Sequence, residues 1–545
     1  MRSVLPLLLA AACGGSSAHV AGPAGGGAPG EGKRRATQVQ VFAPSDPAVE
    51  RYNAPDAPPP PHERLLDAIA GLVQQTARTA GQPVPGADGR LYAAARDLAG
   101  VVPADAPVAY PLIEFALQRH GIVEPSPHLR VIWGPLDDVD AIVEQLGAVM
   151  PEILQDGPFA RVGVGAVARG AGGDGAIILA LQKSFIDTEP MPRALPAGGA
   201  LRIRARVREP FRDPAVFVTR EDGAVEQPRL QGDAAGFAVD VDCTGHRGRQ
   251  QIEVTAIDAT GSTVLANFPV WCGEPAPNSL RLAPSEDDAP VTSAEEAERR
   301  LLELLNRDRA RHKLPPLSAD AEVAAVSRAH SREMYETGVV AHVSPRTGSA
   351  SDRIRAAGIR TAAVLENVAR AYGVGEAQEG LMNSPGHRAN ILSPDVTHVG
   401  IGVVIGDEVV GRRELFVTQV FIYRAGKIDR AAAAVEIKKR MAAASKLVHD
   451  PALAELAQAQ ADEIGRGVSP ADATAHAAAQ ARPLGKRFAR VSTALVTLAK
   501  LSAFDPSDVL TDPSWTHYGL GLAQASHPEL GDNAIQVVLV LAQAR

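Results

Sequence analysis

His387 is the residue of this chain whose sequence neighbours most clearly indicate a functional site. It follows a Ser-Pro-Gly turn in "MNSPGHRANIL" and precedes the glycine-punctuated strand "HVGIGVV". Proline restricts the residue before it and glycine permits a tight turn, so the imidazole is held near the turn and can point into a groove. Ser384 lies three residues upstream, but the pair lacks the orienting acid that a nucleophile requires unless Glu366 provides it. The sequence contains neither an HExxH nor a Gly-x-Ser-x-Gly motif, which argues against the metalloprotease and hydrolase classes that depend on them.

Length and composition place this histidine in a multidomain, globular chain. The 545 residues exceed what one hydrophobic core usually organises, which predicts three to five domains. Hydrophobic residues make up 45% and charged residues 22%, as in ordinary folded proteins. A net charge of −8 argues against a nucleic-acid partner, which needs a basic surface.

The N-terminus predicts export. One arginine precedes an apolar stretch over 4–12 and then Cys13, which is too short to span a bilayer. The stretch 1–13 resembles a bacterial lipoprotein signal, in which the cysteine is lipidated and begins the mature protein, although Ala10 stands where that motif prefers leucine. An ordinary cleaved signal, with Cys13 discarded, is the alternative. The Gly/Pro-rich residues 14–61 predict a tether that lifts the folded part off a membrane.

The other two cysteines, Cys243 and Cys272, predict a disulfide in an exported protein. They lie in residues 189–273, where short strands such as "LRIRARV" and "QIEVTAI" alternate with turn residues. This spacing predicts a small β-sandwich. Two buried free thiols are the alternative. A second Pro-rich break over 274–292 predicts a linker.

Residues 293–425 begin with helical patterns and end with strands. Ser293 and Glu296 have the spacing of a capping box, and Gly338 is placed to end a second helix. The strands "HVGIGVVI" and "LFVTQVFIY" follow. Helices over a short sheet predict an α+β fold.

Six stretches of this segment, in order, resemble the CAP superfamily of cysteine-rich secretory, antigen-5 and pathogenesis-related proteins, in its bacterial SCP-like form. The six are "LLNRDRARHKLPPLSADAEVAAVSRAHSREM", "AHVSPRTGSASDRIRAAGI", "LENVARAYG", "MNSPGHRANIL", "THVGIGVV" and "LFVTQVF". The resemblance implies an α-β-α sandwich with a groove that carries two histidines and two acids. It covers about a quarter of the chain.

Carried over position by position, the resemblance places the groove at His342, Glu366, Asn383, Ser384 and His387. The second acid of many relatives falls on Ser384, so three of the four groups remain. Leu381 and Leu365 also replace the usual tryptophan and glycine. His342 and His387 would suit a divalent ion such as zinc, with Glu366 as a third ligand or as the group that orients one imidazole. The alternative is a buried hydrogen-bonded lock.

The segments on either side carry weaker echoes of this pattern. "ILSPDVTHVGIGVV" is repeated as "ILQDGPFARVGVGAV" and as "VLTDPSWTHYGLGL", which predicts degenerate CAP-like α+β domains over 62–188 and 426–545. His387 aligns with Val149 in the first and with Asp505 in the last. The sequence therefore predicts an α+β multidomain protein with one intact CAP domain over 293–425.

These features predict an exported protein, membrane-anchored as a lipoprotein or extracellular, that binds a small-molecule, lipid or cell-surface ligand. One rival is a metal-dependent hydrolase that uses His342 and His387 as ligands and Glu366 as general base. The other is a structural envelope protein without a ligand. Mutating the two histidines distinguishes the three by loss of binding, turnover or stability.

Overall fold

The structure is a computed structural model that describes residues 10–12, 18–21, 40–55, 59–104, 108–155, 157–169, 173–282, 287, 289–409 and 412–545. Cys13 lies outside the described residues. Four short strands come first: β1 (Ala10–Ala12), β2 (Ala18–Ala21), β3 (Gln40–Phe42) and β4 (Arg51–Tyr52).

Residues 64–182 form a sheet with helices on both faces. The elements are α1 (Arg64–Thr79), β5 (Gly86–Ala87), α2 (Gly89–Val101), α3 (Tyr110–Arg119), β6 (His128–Pro135), α4 (Val139–Gln155), β7 (Arg161–Ala168) and β8 (Asp174–Gln182). The strand order is β2-β6-β8-β7-β5. Along β8 the even-numbered apolar residues pack with α2 and α3 and the odd-numbered ones with α1 and α4, because successive side chains of a strand point to opposite faces.

Residues 186–272 form a β-sandwich. Its strands are β9 (Ile186–Thr188), β10 (Met191–Pro192), β11 (Ala194–Leu195), β12 (Ala200–Val207), β13 (Arg212–Thr219), β14 (Val225–Glu226), β15 (Gln231–Asp233), β16 (Gly236–Asp242), β17 (Gly248–Asp258) and β18 (Gly261–Cys272). One sheet contains β14-β13-β17-β18 and the other β15-β16-β12-β9. Both sheets contribute to one apolar core. Cys243 and Cys272 form a disulfide with a Cα–Cα distance of 5.5 Å, as the sequence predicted.

The segments predicted as a tether (14–61) and a linker (274–292) are partly built into this fold. Gln40–Phe42 pairs with β19 (Leu280–Leu282), and Arg51–Tyr52 pairs with β10. The Tyr52 hydroxyl donates to the carbonyl of Pro269 at 2.7 Å, and its ring is fully buried. Composition alone missed these anchors because the aromatic residues among the prolines find their partners only in the folded chain.

Residues 294–422 form an α+β layer. The elements are α5 (Ala294–Arg311), β20 (Ser318–Ala319), α6 (Ala321–Thr337), α7 (Ala350–Ala356), β21 (Val364–Ala371), α8 (Val374–Asn383), α9 (Pro385–Ile391), β22 (His398–Val409) and β23 (Arg412–Ile422). The strand order is β21-β23-β22-β20, and β1 pairs in parallel with both β18 and β21. Ser293 caps α5 and Gly338, in the left-handed conformation, ends α6, as the sequence predicted.

Residues 430–544 form another helix-covered sheet. The elements are α10 (Arg430–Ala444), β24 (Val448–His449), α11 (Pro451–Gly465), α12 (Pro470–Gln480), β25 (Phe488–Leu498), β26 (His517–His527) and β27 (Gly531–Ala544). The strand order is β25-β27-β26-β24. One face of the sheet packs against α11 and α12 and the other against α10.

A close helix-to-strand approach occurs in each of these three sheets. An added Cβ at Gly402 would lie 2.1 Å from the backbone of α6, at Gly165 2.1 Å from α2, and at Gly521 2.2 Å from α11. Contacts this short exclude any side chain. Each of the three helices begins at an aspartate N-cap whose side chain accepts backbone N–H groups.

The chain divides into two compact units. One consists of 1–353, 365–394 and 399–420, and the other of 354–364, 395–398 and 421–545. Within the ranges described above, no helix is long and apolar enough to cross a membrane.

Candidate functional site

A buried carboxylate anchors His342. This histidine lies in the loop after α6, and its Nδ1 is 2.9 Å from Oε1 of Glu366 on β21. The other carboxylate oxygen accepts from Arg353 at 2.5 Å, and Arg353 also donates to the carbonyl of His342 at 3.2 Å. Burial raises the pKa of Glu366, but the hydrogen bond with His342 and the Arg353 charge outweigh it and hold that pKa below its ordinary value. Glu366 therefore stays charged.

A serine anchors His387. The residue lies in the first turn of α9, and its Nδ1 is 2.7 Å from the hydroxyl of Ser384. That hydroxyl also contacts Oε2 of Glu253, whose Oε1 accepts from the N–H of Gly386 at 2.8 Å. Glu253 belongs to β17 of the sandwich. Two domains therefore meet at this histidine.

The two imidazoles lie close together and are buried. Their ring centroids are 6.4 Å apart, with 29° between the ring planes. His342 is 3% exposed and His387 0%, and the Nε2 atom of each is buried without a hydrogen-bond partner. Burial, together with the neighbouring His342, holds the pKa of His387 well below its ordinary value of 6.5. His387 is therefore neutral and has one ring nitrogen left for another group.

Two asparagines fix the backbone that carries the site. Asn367, next to Glu366, donates to the carbonyl of His387 at 3.3 Å. Asn390, on α9, donates to the carbonyl of Glu366 at 3.1 Å and to the side-chain oxygen of Asn367 at 3.0 Å. These hydrogen bonds connect β21, which carries Glu366, to α9, which carries His387.

The sandwich covers the predicted groove. At Gly261, with φ of +108°, an added Cβ would lie 2.9 Å from the Cβ of His342. The N–H of Val343 donates to the carbonyl of Thr260 at 2.9 Å, so the turn between β17 and β18 sits on the histidine loop. The sequence predicted a groove at these residues, and in the structure both histidines are buried. The covering residues are about 80 positions away in the chain and packing alone brings them here.

Asn383 is placed differently from the other predicted site residues. It is half-buried and lines a cavity of about 210 Å³ with residues of the sandwich and of α9, including Thr219, Arg249, Gln251 and Arg388. His342, Glu366, Ser384 and His387 are not among the residues that line this cavity. The structure therefore brings together four of the five predicted groove residues.

Comparison with known proteins identifies the segment that carries this site. The cysteine-rich secretory protein family, CAP, matches residues 302–421. The chain contains a CAP domain. This domain accounts for the α+β layer and for the order of the motifs predicted from sequence.

Related chains match in the same region. YkwD of Bacillus subtilis, an uncharacterized protein, is 35% identical over 130 residues, which are 24% of this chain and 50% of YkwD. YlbC of the same organism, an uncharacterized membrane protein, is 39% identical over 108 residues, 20% of this chain and 31% of YlbC. The chain thus spans about half the length of the first relative and about a third of the second.

Two solved structures are also similar. An extracellular protein with an SCP domain from Bacillus anthracis has 17% identity and a TM-score of 0.22, covering 45% of this chain and 88% of its own. An outer surface protein of Borrelia burgdorferi has 16% identity and a TM-score of 0.23, covering 25% of this chain and 99% of its own.

The described residues of the CAP domain offer fewer than three side chains for a metal ion. Among the described residues, no group of three or more His, Cys, Asp or Glu side chains is arranged to hold a metal ion. Both oxygens of Glu366 are occupied by His342 and Arg353, so Glu366 orients an imidazole instead of ligating. The two free Nε2 atoms supply two metal-ligating atoms, whereas catalytic zinc sites usually have three protein ligands.

The order of the polar groups also differs from that of a serine nucleophile. In a triad the imidazole lies between the hydroxyl and the carboxylate. Here the Ser384 hydroxyl lies between Glu253 and His387, and Glu366 orients the other histidine. This order does not let the imidazole take the serine proton and hand it to a leaving group under carboxylate control.

Sequence reasoning missed Arg353 and Glu253. Arg353 lies within a stretch that carries the family resemblance, but it is one of several arginines there. Glu253 had a clearer signal. In "QIEVTAI" its neighbours Ile252 and Val254 face the sandwich core, so Glu253 belongs to the outer face, which the CAP domain covers.

Proposed function

We propose that this chain is an exported, lipid-anchored protein whose CAP domain binds a ligand through the Nε2 atoms of His342 and His387. The observation that carries the proposal is the pair of buried ring nitrogens without partners. Leaving a buried polar atom unsatisfied costs about 1–3 kcal/mol. A folded protein gains by filling such a place with a group that the two atoms can bind.

The chemistry of the pair limits the ligand. A neutral imidazole whose Nδ1–H donates a hydrogen bond, to Glu366 in His342 and to the Ser384 hydroxyl in His387, has a lone pair on Nε2. Two such nitrogens favour a small cation, or a polar group of a lipid or cell-surface molecule that donates hydrogen bonds. A divalent metal such as zinc would take these two donors and would need further ligands from water or from the bound molecule.

Zinc is the most direct probe of this site. Titration calorimetry on the full chain compares the wild type with the His342→Ala/His387→Ala variant, and His449→Ala, which removes a histidine of the last domain, is the control. Binding by the wild type and by the control but not by the folded double variant supports the proposal. Because imidazole must be neutral to ligate, the affinity should fall only in acidic solution well below pH 6.5, where His387, whose pKa burial lowers, takes up a proton. Equal zinc binding by the wild type, the double variant and the control would overturn the proposal.

A structural role is the second candidate, and the burial of the site favours it. The side chains of His342, Glu366 and Arg353 are at most 5% exposed and tie a loop, a strand and a helix together. If the double histidine variant unfolds while the wild type binds no zinc, the histidines act as a lock. The hydrolase reading is weaker, because a general base needs a free carboxylate and both oxygens of Glu366 are engaged.

Export and anchoring are supported by the sequence of residues 1–13. An arginine, an apolar stretch and Cys13 have the order of a lipoprotein signal. Palmitate labelling of the wild type and of Cys13→Ala, with and without globomycin, tests the anchor. A Cys13→Ala protein that still incorporates palmitate would contradict it.

We also propose that residues 62–188 and 426–545 are degenerate CAP-like domains that keep the scaffold and lack the site. In support, β6-β8-β7-β5, β21-β23-β22-β20 and β25-β27-β26-β24 repeat one strand order. Each sheet also has two glycines, separated by one residue on the same strand, that lie against the backbone of a helix. An experimental structure in which Gly163, Gly400 and Gly519 fail to superpose on equivalent strands would refute the relationship.

A further inference from the structure

Glu253 is a buried carboxyl whose hydrogen-bond partners belong to a different domain. It lies on β17 of the sandwich and is 0% exposed. One oxygen contacts the hydroxyl of Ser384 and the other accepts from the N–H of Gly386. Both partners flank the turn that places His387. At the position where the family resemblance places the second acid, this chain has Ser384, and a carboxylate from the sandwich reaches it.

The direction of the hydrogen bonds follows from the groups involved. Above about pH 7, where Glu253 is ionised, its carboxylate only accepts, so the Ser384 hydroxyl donates its proton to Glu253. The serine oxygen is then the acceptor for Nδ1 of His387 at 2.7 Å. Nδ1 must therefore carry the ring proton, and Nε2 must carry the lone pair. His342 is held in the same tautomer by Glu366, whose oxygen lies 2.9 Å from its Nδ1.

We propose that Glu253 is a positioning residue of the CAP histidine site, which through Ser384 holds His387 in the Nδ1–H tautomer and leaves its Nε2 as an acceptor. The consequence for ligand binding rests on the proposed function, whereas the tautomer does not. The site is thus composed of two domains. Glu366 of the CAP domain sets the Nε2 lone pair of His342, but that of His387 requires the sandwich to be docked on the CAP domain.

The Glu253→Gln substitution reverses this chain of hydrogen bonds without changing its shape. The N–H of Gly386 needs an acceptor, so the amide oxygen of the new side chain takes that place. Its NH₂ group then faces Ser384 and donates to the hydroxyl oxygen. The serine proton turns towards Nδ1 of His387, and the ring proton moves to Nε2. His387 then presents a donor where the wild type presents an acceptor.

Nitrogen chemical shifts of the imidazoles measure this reversal directly. The full chain is labelled with ¹⁵N-histidine, and the signals of His387 are assigned by their loss in His387→Gln. Spectra are recorded at about pH 9, above the pKa of about 7 that burial gives Glu253. We expect Nδ1–H in the wild type and Nε2–H in Glu253→Gln. Ser384→Ala removes the relay itself and should leave a mixture of tautomers, which keeps the test available if Glu253→Gln does not fold.

Glu124→Gln is the matched control. Glu124 is also buried and also accepts from a serine hydroxyl, that of Ser184, at 2.7 Å, but it lies in the segment before the sandwich. This variant should leave the His387 signals unchanged. A His387 that keeps Nδ1–H in both Glu253→Gln and Ser384→Ala would overturn the inference, as would a wild type in the Nε2–H form.

Zinc titration of the same chains separates the inference from the proposed function. If Glu253→Gln changes the tautomer and also weakens zinc binding at least tenfold, both stand. If the tautomer changes and the wild type binds no zinc, the inference stands and the proposed metal probe fails. If zinc binds equally to the wild type and the variant although the tautomer changes, Glu253 positions His387 but zinc binds elsewhere, which contradicts the proposed function alone.

Discussion

Two buried carboxyls, Glu114 on α3 and Glu253 on β17, should make the stability of this chain fall as pH rises. Burial raises the pKa of each from the ordinary value of 4.5 to about 7. The folded chain then keeps a proton that the unfolded chain releases between about pH 4.5 and 7. The contribution of each group is present in full below about pH 4.5 and is lost as pH rises to about 7. Above that pH it is constant.

The magnitude follows from the pKa values. Each tenfold change in acidity is worth about 1.4 kcal/mol, so moving one carboxyl pKa from 4.5 to about 7 corresponds to about 3 kcal/mol. Glu114 is among the charges that raise the pKa of Glu253, so the two contributions are coupled. Because of this coupling, either glutamine variant should remove at least half of the pH dependence and the double variant nearly all of it.

Urea unfolding at about pH 5, 6, 7 and 8 measures this dependence. Trp271, on β18, reports the sandwich, which contains Glu253, and Trp133, on β6, reports the domain that contains Glu114. Each is followed in a chain whose other two tryptophans are replaced by phenylalanine, because a single global transition is not expected of a multidomain chain. A Glu253→Gln chain that loses as much stability between pH 5 and 8 as the wild type would refute the reasoning.

Three further substitutions test the packing. Gly402→Ala should destabilise the fold by about 3 kcal/mol or more, because its Cβ would overlap the backbone of α6, and should therefore lower the melting temperature in scanning calorimetry. Gly380→Ala, whose Cβ would have nothing within 4 Å, should raise the melting temperature slightly in the same assay. Cys243→Ser should lose about 3 kcal/mol in urea, and reducing the wild type should reproduce that loss if the disulfide is the cause. Arg353→Met should cost about 3–5 kcal/mol by leaving its buried carboxylate partner unpaired. Arg299→Met, from an exposed pair, should cost under about 1 kcal/mol in the same assay.

The local motifs of this protein were predictable from its sequence. The cap at Ser293 and the helix end at Gly338 depend on neighbouring residues, and the structure has both. Pro385 and Gly386, predicted as a turn, instead begin α9, so that His387 lies in the first turn of that helix. The alternating strands of the sandwich and the Cys243–Cys272 disulfide also follow from short-range patterns and from a count of cysteines. The CAP motifs predicted that Glu366 reaches an imidazole, and it reaches His342 at 2.9 Å.

The tertiary structure decided what surrounds these motifs. The sequence predicted a groove but not what covers it, and the sandwich buries the two histidines because the outer face of β17 packs on the turn that carries His387. Glu253 lies 131 residues from Ser384, and no local pattern relates the two positions. Periodicity and capping reflect interactions within a few residues, so they fix elements and turns. Which carboxylate fills a buried corner depends on how whole domains pack, and that was settled only by the fold.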